Sequence, residues 1–375
     1  MGRKWNFKVL KNFESLNIRC KNIFGVVQKN GPITKSKLID ITKIKLTTLN
    51  RDLKILIDEK IIVETDIGES TGGRKPSLYD VNTEKFYIVG IDISRTYTRI
   101  VITNLKLEII GEETLNHDYN IENSNDIILT SLKILFRKLH VKESELLGIG
   151  IGIVGGFNIN PLYKRLKEEF NVSICIDNGA NTAVIGEYYF GSGKGKNNIV
   201  YINCGVGIRT GIISSGVLIR AINNLEDVFG HMVVDVNGEL CSCGNHGCIE
   251  SYVSIPYIIK KFKDESKVND DIGYRDICRL SEEGNKVATN IIKKSALYFG
   301  IGLSNYIKLF NPELIILSGP LIQNSRVFYE ECRKVAVEKC HVKNENIIFA
   351  RGGLYEDKSI AIGACVMVIQ KMEGR

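Results

Sequence analysis

One short segment of the sequence carries side chains suited to binding a metal ion. His231 precedes Cys241, Cys243 and Cys248 by 10, 12 and 17 residues. One imidazole and three thiolates form a closed set of four ligands, which suits tetrahedral zinc and leaves no position for an activated water. Three buried cysteines that bind nothing are the competing interpretation. The spacing favours a structural zinc site.

The rest of this segment fits the same interpretation. Gly244 and Gly247 permit the tight turns that bring three sulfurs to one ion. His246 is a weaker rival ligand and is expected to face solvent. The other seven of the ten cysteines are scattered through apolar stretches. They are interpreted as small buried side chains of a protein from a reducing compartment.

Composition and charge divide the chain into two parts. The 375 residues, 44% hydrophobic and 25% charged, are typical of a soluble protein of two to three domains. There is no apolar run of about 20 residues and no apolar signal core, so a cytoplasmic location is expected. Residues 1–85 hold 17 Lys and Arg against 10 Asp and Glu, which accounts for the whole net charge of +7. This basic head is typical of a polyanion-binding domain, with a merely solvated Lys-rich face as the alternative.

Local patterns in the head predict three helices. The first ends at Gly31, which is followed by a proline. The second begins after Thr34, a suitable N-cap, and is expected to point Leu38 and Ile41 inward. The third spans about 45–59 and has two opposed stripes.

The two stripes of the third helix differ in chemistry. The apolar stripe, expected to face the core, consists of Leu46, Leu49, Leu53, Leu56 and Ile57. The polar stripe consists of Thr47, Asn50, Arg51 and Lys54. Such polar side chains can contact base edges and neutralise phosphates, so this is a candidate DNA-recognition helix.

A basic loop follows the third helix. Strands predicted over 61–64 and 78–81 flank the segment Gly-Gly-Arg-Lys-Pro, which holds Arg74 and Lys75. These two side chains can lie along the DNA backbone or enter a narrow minor groove. Residues 1–85 are therefore interpreted as a winged helix-turn-helix DNA-binding domain with its linker. A three-helix packing module that contacts no nucleic acid is the alternative.

The remaining chain repeats one pattern of elements. Strands are predicted over 86–94, 98–105, 108–116 and 146–154, and again over 198–204, 207–214, 217–220 and 313–317. Helices are predicted near 124–140, 250–263, 285–310 and 357–371. The repetition predicts an α/β protein with two lobes, 86–195 and 196–375, around a ligand-binding cleft. The last helix contains the small residues Ala361-Ile362-Gly363-Ala364, which suit close packing, and is expected to pack back on the first lobe.

Five segments, in this order, resemble the ROK family: GPITKSKLIDITKIKLTTLNRDL, STGGRKPSLYDVN, GIDISRT, IDNGANTA and CSCGNHGCIES. The family groups sugar-responsive transcriptional repressors, including those for N-acetylglucosamine and xylose, with sugar kinases that lack the DNA-binding head. The resemblance covers about residues 15–366. It implies a two-lobed ribonuclease-H-like (actin-like ATPase) fold. It also implies that the zinc stiffens the loop bearing His231 and Glu250 beside a sugar pocket.

The family kinases need features that this sequence lacks. Their first phosphate loop resembles Asp-x-Gly-Gly-Thr, whereas Asp92-Ile93-Ser94-Arg95-Thr96 stands here, and Arg209 occupies a small-residue position in the second loop. Their general base is the Asp of Asn-Asp-Ala-Asn, and Gly179 stands at that position. A general base contributes ~10²–10⁴ in rate. Asp177 would differ in direction and reach, so a non-enzymatic body is expected.

The resemblance carries four sugar contacts onto Gly155, Asn178, His231 and Glu250. Val228 stands where the family has a sugar-contacting Glu. The effector is therefore expected to be a different sugar, a weakly bound one, or a phosphotransferase-system protein. Helix or strand capping is the alternative role for both Asn178 and Glu250.

These observations predict a repressor of carbohydrate metabolism. It is expected to bind a palindromic double-stranded DNA operator as a homodimer or tetramer, without contacting membranes. Effector binding would shift the population between two arrangements of the heads and lower operator affinity. Zn2+ is the one cofactor expected. The alternatives are a sugar kinase with an appended DNA-binding domain, and a zinc-stiffened sensor or scaffold whose head has lost DNA binding.

Overall fold

The computed structural model describes residues 13, 15–65, 77–95, 97–116, 124–153, 157–220, 229–267, 271–340 and 347–374. The chain divides into two compact units. One is Met1–Asp177 with Ala361–Arg375, and the other is Asn178–Ile360. The second unit therefore begins before residue 196, because the helix that starts at Gly179 packs on the second unit's sheet.

From residue 15 onward, the described part of the head contains three helices and a small sheet. The elements are α1 (Ile18–Asn30), β1 (Ile33–Thr34), α2 (Lys35–Thr42), α3 (Leu46–Asp58), β2 (Ile62–Thr65) and β3 (Leu78–Val81). The strand order is β1-β3-β2, and both pairs are antiparallel. This is the element order expected for the head. The loop residues Arg74 and Lys75 lie outside the described residues.

Capping and burial in the head follow the sequence signals in most places. The Thr34 hydroxyl accepts a hydrogen bond from the backbone N–H of Lys37, at 3.3 Å, and so caps α2. The predictions for Ile41 and Leu46 were wrong, because their side chains are 45% and 52% exposed. Both lie at helix ends, one in the last turn of α2 and the other at the first residue of α3. The apolar stripes of α2 and α3 therefore extend beyond the part of each helix that packs against the hydrophobic core of the head.

The first unit continues with a five-stranded sheet of order β6-β5-β4-β7-β8. Its elements are β4 (Tyr87–Ile93), β5 (Tyr97–Asn104), β6 (Ile109–Asn116), α4 (Ser124–Lys138), β7 (Leu146–Ile153), α5 (Asn160–Phe170) and β8 (Ser173–Asn178). β4, β5 and β6 form an antiparallel meander, and β7 runs parallel to β4. From Gly148 to Gly152 of β7, glycines alternate with buried isoleucines, so one face of this part of the strand carries no side chains.

The C-terminal helix packs on that bare face. α13 (Ser359–Glu373) places its Ala361 carbonyl over Gly90 of β4 and its Ala364 carbonyl over Gly150 of β7. A Cβ atom at either glycine would overlap these carbonyl oxygens. The helix backbone can approach the sheet this closely only because neither strand has a side chain there.

Gly150→Val is expected to destabilise the protein by about 1–3 kcal/mol, because the added atoms force the backbone of α13 away from the sheet. Thermal melting of the purified variant measures the effect. Gly273→Ala is the matched control, since a Cβ there meets only a side-chain oxygen of Asp276 at 3.5 Å. Equal melting temperatures for the two variants would contradict this account of the packing.

The head contacts the rest of the first unit through several side chains. Gln28 of α1 is buried and its amide donates a hydrogen bond to the Leu105 carbonyl, at 3.0 Å. Asp80 of β3 forms an ion pair with Lys106. At the other end of α13, the buried Glu373 side chain lies against Gly25 of α1. The head therefore shares a continuous packed surface with the sheet and the C-terminal helix.

The second unit repeats the design of the first sheet. It contains α6 (Gly179–Phe190), β9 (Ile199–Cys204), β10 (Ile208–Ser214), β11 (Val217–Ile219), α7 (Glu250–Val253), α8 (Ile255–Ser266), α9 (Tyr274–Glu282), α10 (Lys286–Phe310), β12 (Leu314–Ser318), α11 (Pro320–Asn324), α12 (Arg326–Cys340) and β13 (Ile348–Arg351). The order is β11-β10-β9-β12-β13, again a meander extended by parallel strands. The predicted repetition of elements is confirmed.

Three further findings bear on the sequence predictions. The helix predicted near 250–263 is two helices, because Pro256 cannot continue a helix and Ser254 adopts an extended conformation.

Six of the seven scattered cysteines are buried as expected, and Cys175 is half-buried. Among the described helices, none is long and apolar enough to cross a membrane.

Candidate functional site

The four predicted metal ligands come together in the second unit. The ligand atoms of His231, Cys241, Cys243 and Cys248 all lie within 4.8 Å of one another. The Cys243 and Cys248 sulfurs are 3.7 Å apart, and Cys241 Sγ lies 3.6 Å from His231 Nδ1. Sulfurs at the corners of a tetrahedron with bonds of about 2.3 Å are about 3.8 Å apart. This donor set could hold one metal ion.

The backbone of the segment explains how three cysteines reach one point. Gly244 and Gly247 adopt φ of +91° and +73°, a region that favours glycine. A Cβ at Gly247 would overlap the Asp235 carbonyl, and the Gly247 carbonyl accepts a hydrogen bond from Val234 N–H at 2.8 Å. His246 is exposed and lies outside the cluster, with Nδ1 3.0 Å from the Gly238 carbonyl oxygen.

The environments of two of the thiols differ. A hydrogen bond from the Asn245 backbone lowers the pKa of Cys243, which favours the thiolate that binds metals. Burial, together with the neighbouring thiols, raises the pKa of Cys248 to about 12. Cys248 therefore needs a nearby cation to ligate as a thiolate, and the convergence of the other three ligands provides a place for one.

The metal cluster is joined by backbone hydrogen bonds to a predicted sugar contact. Glu250 follows Cys248 by two residues. Its backbone N–H donates to the Gly230 carbonyl at 2.8 Å, beside His231. The segments that bear His231 and Glu250 are thus fixed to one another, and a metal ion at the cluster would stiffen both.

The Glu250 carboxylate is already engaged within the second unit. Its Oε2 accepts a hydrogen bond from the Ile208 backbone N–H at 2.9 Å and lies 3.8 Å from Arg209 Nη1. The Arg209 side chain is only 11% exposed and donates to the Ile208 carbonyl. Arg209 therefore packs within the second loop against Glu250, an arrangement that the sequence did not indicate.

The other predicted ligand residues are distributed as follows. Asn178 is the N-cap of α6, and its Oδ1 accepts a hydrogen bond from the Ala180 backbone N–H at 2.7 Å. Gly179 is the buried first residue of that helix. In the first loop, Asp92 is buried and its Oδ2 accepts a hydrogen bond from the Tyr97 hydroxyl. Gly155 and Val228 lie outside the described residues.

The polar stripe of the third head helix is exposed to solvent. Its members are Thr47, Asn50, Arg51 and Lys54. The opposite face of α3 buries Leu49, Leu53 and Leu56. All four polar side chains of the candidate recognition helix are thus accessible to a ligand.

Asp52 and Glu187 are buried carboxylates that the sequence analysis did not predict. Asp52 lies on the buried side of α3 and accepts hydrogen bonds from the Nε groups of Arg19 and Arg51. Glu187 of α6 is fully buried and accepts four hydrogen bonds. For Glu187 the available signal was a single acidic residue within an apolar helix. For Asp52 it was the helical spacing, which places this residue on the same side of α3 as Leu49 and Leu56.

The fold and site described above have counterparts among known proteins. The ROK family model matches residues 88–371. The xylose repressor of Bacillus subtilis is 31% identical over 322 residues, which cover 82% of this chain and 83% of that protein. The transcriptional dual regulator NagC of Escherichia coli is 24% identical over 376 residues, covering 93% and 92%. The chain belongs to the ROK family.

Solved structures with the same fold include regulators and kinases. A ROK transcriptional regulator described as a homologue of the E. coli MLC protein has a TM-score of 0.79 at 20% identity, over 95% of this chain and 96% of that chain. A ROK glucokinase from Streptomyces griseus has a TM-score of 0.65 at 22% identity, over 76% of this chain and 99% of that one. The body of this protein therefore has the actin-like ATPase fold.

Proposed function

We propose that the protein is a sugar-responsive transcriptional repressor of carbohydrate metabolism. The observation that carries this proposal is the row of four exposed polar side chains on α3, in a head that holds the whole positive excess of the chain. Relatives named as repressors of xylose or N-acetylglucosamine match 82–93% of the chain and support it. A repressor acts on DNA, and so in the cytoplasm.

In this proposal, residues 1–85 are a winged helix-turn-helix domain. α3 enters the major groove of a double-stranded operator, with Arg51 and Asn50 at base edges and Lys54 at a phosphate. Arg74 and Lys75 form the wing. A homodimer or tetramer would place two such helices on a palindromic site.

Arg51→Ala is expected to weaken binding to the operator by roughly 5–150-fold, the effect of losing one bidentate base contact of about 1–3 kcal/mol. Operator sequences are first selected from a randomised DNA pool with the full-length protein. Gel shifts at fixed salt then compare the variant with the wild-type protein.

Lys339→Ala is the matched control for Arg51→Ala. It removes one positive charge from an exposed position on α12, far along the chain from the head. Its operator affinity should equal that of the wild-type protein. If the wild-type protein binds no DNA at any salt concentration, the scaffold alternative is correct and this proposal is wrong.

We further propose that the body does not catalyse phosphoryl transfer. Gly179 has no side chain to accept a proton from a sugar hydroxyl, and Arg209 packs against Glu250 in the loop where kinases bind phosphates. The kinase alternative predicts ADP release from ATP with one member of a monosaccharide panel. Turnover at physiological sugar concentrations would overturn the non-enzymatic interpretation.

The metal that best fits the cluster is a structural zinc ion. His231, Cys241, Cys243 and Cys248 would hold it, and four protein ligands leave no coordination site for substrate or water. When bound, the ion supplies thiolate neutralisation and rigidity rather than reactivity. The protein itself holds Glu250 at a fixed position relative to His231, through the backbone hydrogen bond from Glu250 to Gly230.

The effector site is proposed to use Gly155, Asn178, His231 and Glu250. His231 would bind the metal through one ring nitrogen and present the other to the effector, and Glu250 has a second carboxylate oxygen that can accept from a hydroxyl. Thermal-shift measurements with monosaccharides and their phosphates test this, since a ligand of the folded state raises stability by RT ln(1 + [L]/Kd). If no sugar raises the melting temperature, a phosphotransferase-system protein is the effector to test next.

A further inference from the structure

A fully buried carboxylate in the head holds two arginines. Asp52 of α3 has a side-chain exposure of 0%. Its Oδ2 accepts a hydrogen bond from Arg19 Nε at 2.9 Å, and its Oδ1 accepts one from Arg51 Nε at 3.3 Å. The arginine side chains themselves are 47% and 64% exposed. The buried carboxylate of Asp52 thus holds the guanidinium groups of Arg19 and Arg51 at the protein surface, one at each of its oxygens.

The hydrogen bonds leave the outer ends of both guanidinium groups available. Asp52 uses the Nε atoms, so the two terminal nitrogens of each arginine can still bind a base edge or a phosphate. Arg19 lies in the first turn of α1, which Asn17 caps by accepting hydrogen bonds from the backbone N–H groups of Arg19 and Cys20. A helix N-terminus beside an arginine favours anionic ligands.

We propose that Asp52 is a positioning residue for DNA recognition, and that Arg19 is a DNA contact that binds a phosphate beside the base that Arg51 contacts. This inference rests on the proposed function, in which α3 binds the operator. Free arginine side chains lose rotamer freedom on binding, whereas these two are ordered before DNA arrives. Loss of this order weakens the base contact of Arg51, which binding to the operator uses and binding to a random duplex does not, so it lowers discrimination between sequences.

Asp52→Asn distinguishes a positioning role of Asp52 from an effect of its negative charge on DNA affinity. Removing the negative charge makes the DNA-facing surface more positive, so electrostatics alone predicts equal or tighter binding to any duplex. Positioning predicts the opposite for the operator. We expect the ratio of operator affinity to random-duplex affinity to fall at least about tenfold, a difference within the range of a single base contact.

Asp58→Asn is the matched control, because it makes the same charge change at an exposed position on the same helix. Its operator-to-random ratio should equal that of the wild-type protein. The full chain is used throughout, with circular dichroism and thermal melting to check that each variant folds. An unchanged ratio in folded Asp52→Asn overturns the positioning role.

Arg19→Gln tests the phosphate contact and leaves Asp52 paired with Arg51. It should weaken binding to operator and random duplex alike, and reduce the slope of log K against log salt by about one. An unchanged slope overturns the contact, even if Asp52→Asn does not fold. If Arg51→Ala weakens operator binding but neither Asp52→Asn nor Arg19→Gln does, this inference fails while the proposed function stands. If the wild-type protein binds no DNA, both fail.

Discussion

Cys248→Ser is expected to release zinc from the purified protein. The zinc content should fall from about one ion per protein chain to near zero, since the four residues would hold one ion. The serine hydroxyl does not replace a thiolate as a zinc ligand. Structural zinc binding has an apparent free energy of about 10–16 kcal/mol in small zinc-finger peptides, so losing one ligand also destabilises the segment that folds around the ion. Elemental analysis and thermal melting measure the two effects.

His246→Asn is the control for the metal prediction. His246 lies in the same segment, but it is exposed and outside the cluster, so the variant should keep its zinc. Because Glu250 follows Cys248 by two residues, Cys248→Ser should also reduce any thermal shift produced by an effector. Zinc retained by Cys248→Ser, or lost by His246→Asn, would show that the ligand set is a different one.

Glu187→Ala is expected to cost about 3–5 kcal/mol of unfolding free energy, because each polar group that loses its hydrogen-bond partner in the interior costs about 1–3 kcal/mol and several lose it together. The carboxylate accepts hydrogen bonds from the backbone N–H groups of Ser192, Leu354 and Tyr355 and from the Ser359 hydroxyl. The variant removes the acceptor of the three backbone N–H groups, whereas the Ser359 hydroxyl can still donate to the Glu356 carbonyl. At about 2–4 °C per kcal/mol, the melting temperature should fall by roughly 6–20 °C.

Two further variants test the Glu187 prediction. Glu338→Ala removes a carboxylate from an exposed position on α12 and should change stability by less than about 0.5 kcal/mol. Glu187→Gln keeps the shape but turns an amide N–H₂ toward backbone donors, so its loss should lie close to that of alanine. A loss below about 1 kcal/mol for Glu187→Ala would contradict the proposed role of this carboxylate.

Elements with strong local signals were predictable from the sequence. Eight of the ten strands in the two large sheets were predicted to within a few residues, because they show short apolar runs in an order that repeats. The last strand of each sheet in chain order, β8 and β13, was not predicted, and neither strand has a fully buried residue. Thr34 and Gly31 mark helix ends by local hydrogen bonding. The convergence of His231, Cys241, Cys243 and Cys248 was also predictable, because one histidine and three cysteines within 18 residues match the donor types and short spacings of zinc sites.

The missed features depend on residues far apart in the chain. Glu187 is satisfied by residues 167 to 172 positions later, and Glu250 by the backbone of a residue 42 positions earlier. No pattern within one element reveals such pairings. The predictions that Leu46 and Ile41 are buried were wrong for a different reason. Helical periodicity indicates which face of a helix is apolar, but it does not indicate where the neighbouring element stops covering that face.

Because the C-terminal helix packs on glycines of the sheet, a substitution at one of these glycines can affect a distant part of the first unit. α13 lies against the sheet at Gly90 and Gly150, and its far end holds Glu373 against Gly25 of the first head helix. A substitution in the middle of the sheet that displaces α13 is therefore expected to displace Glu373 as well, where this side chain contacts the first head helix. We expect genetic selections for constitutive expression to return substitutions at Gly150, a buried residue that is not among the proposed DNA or effector contacts.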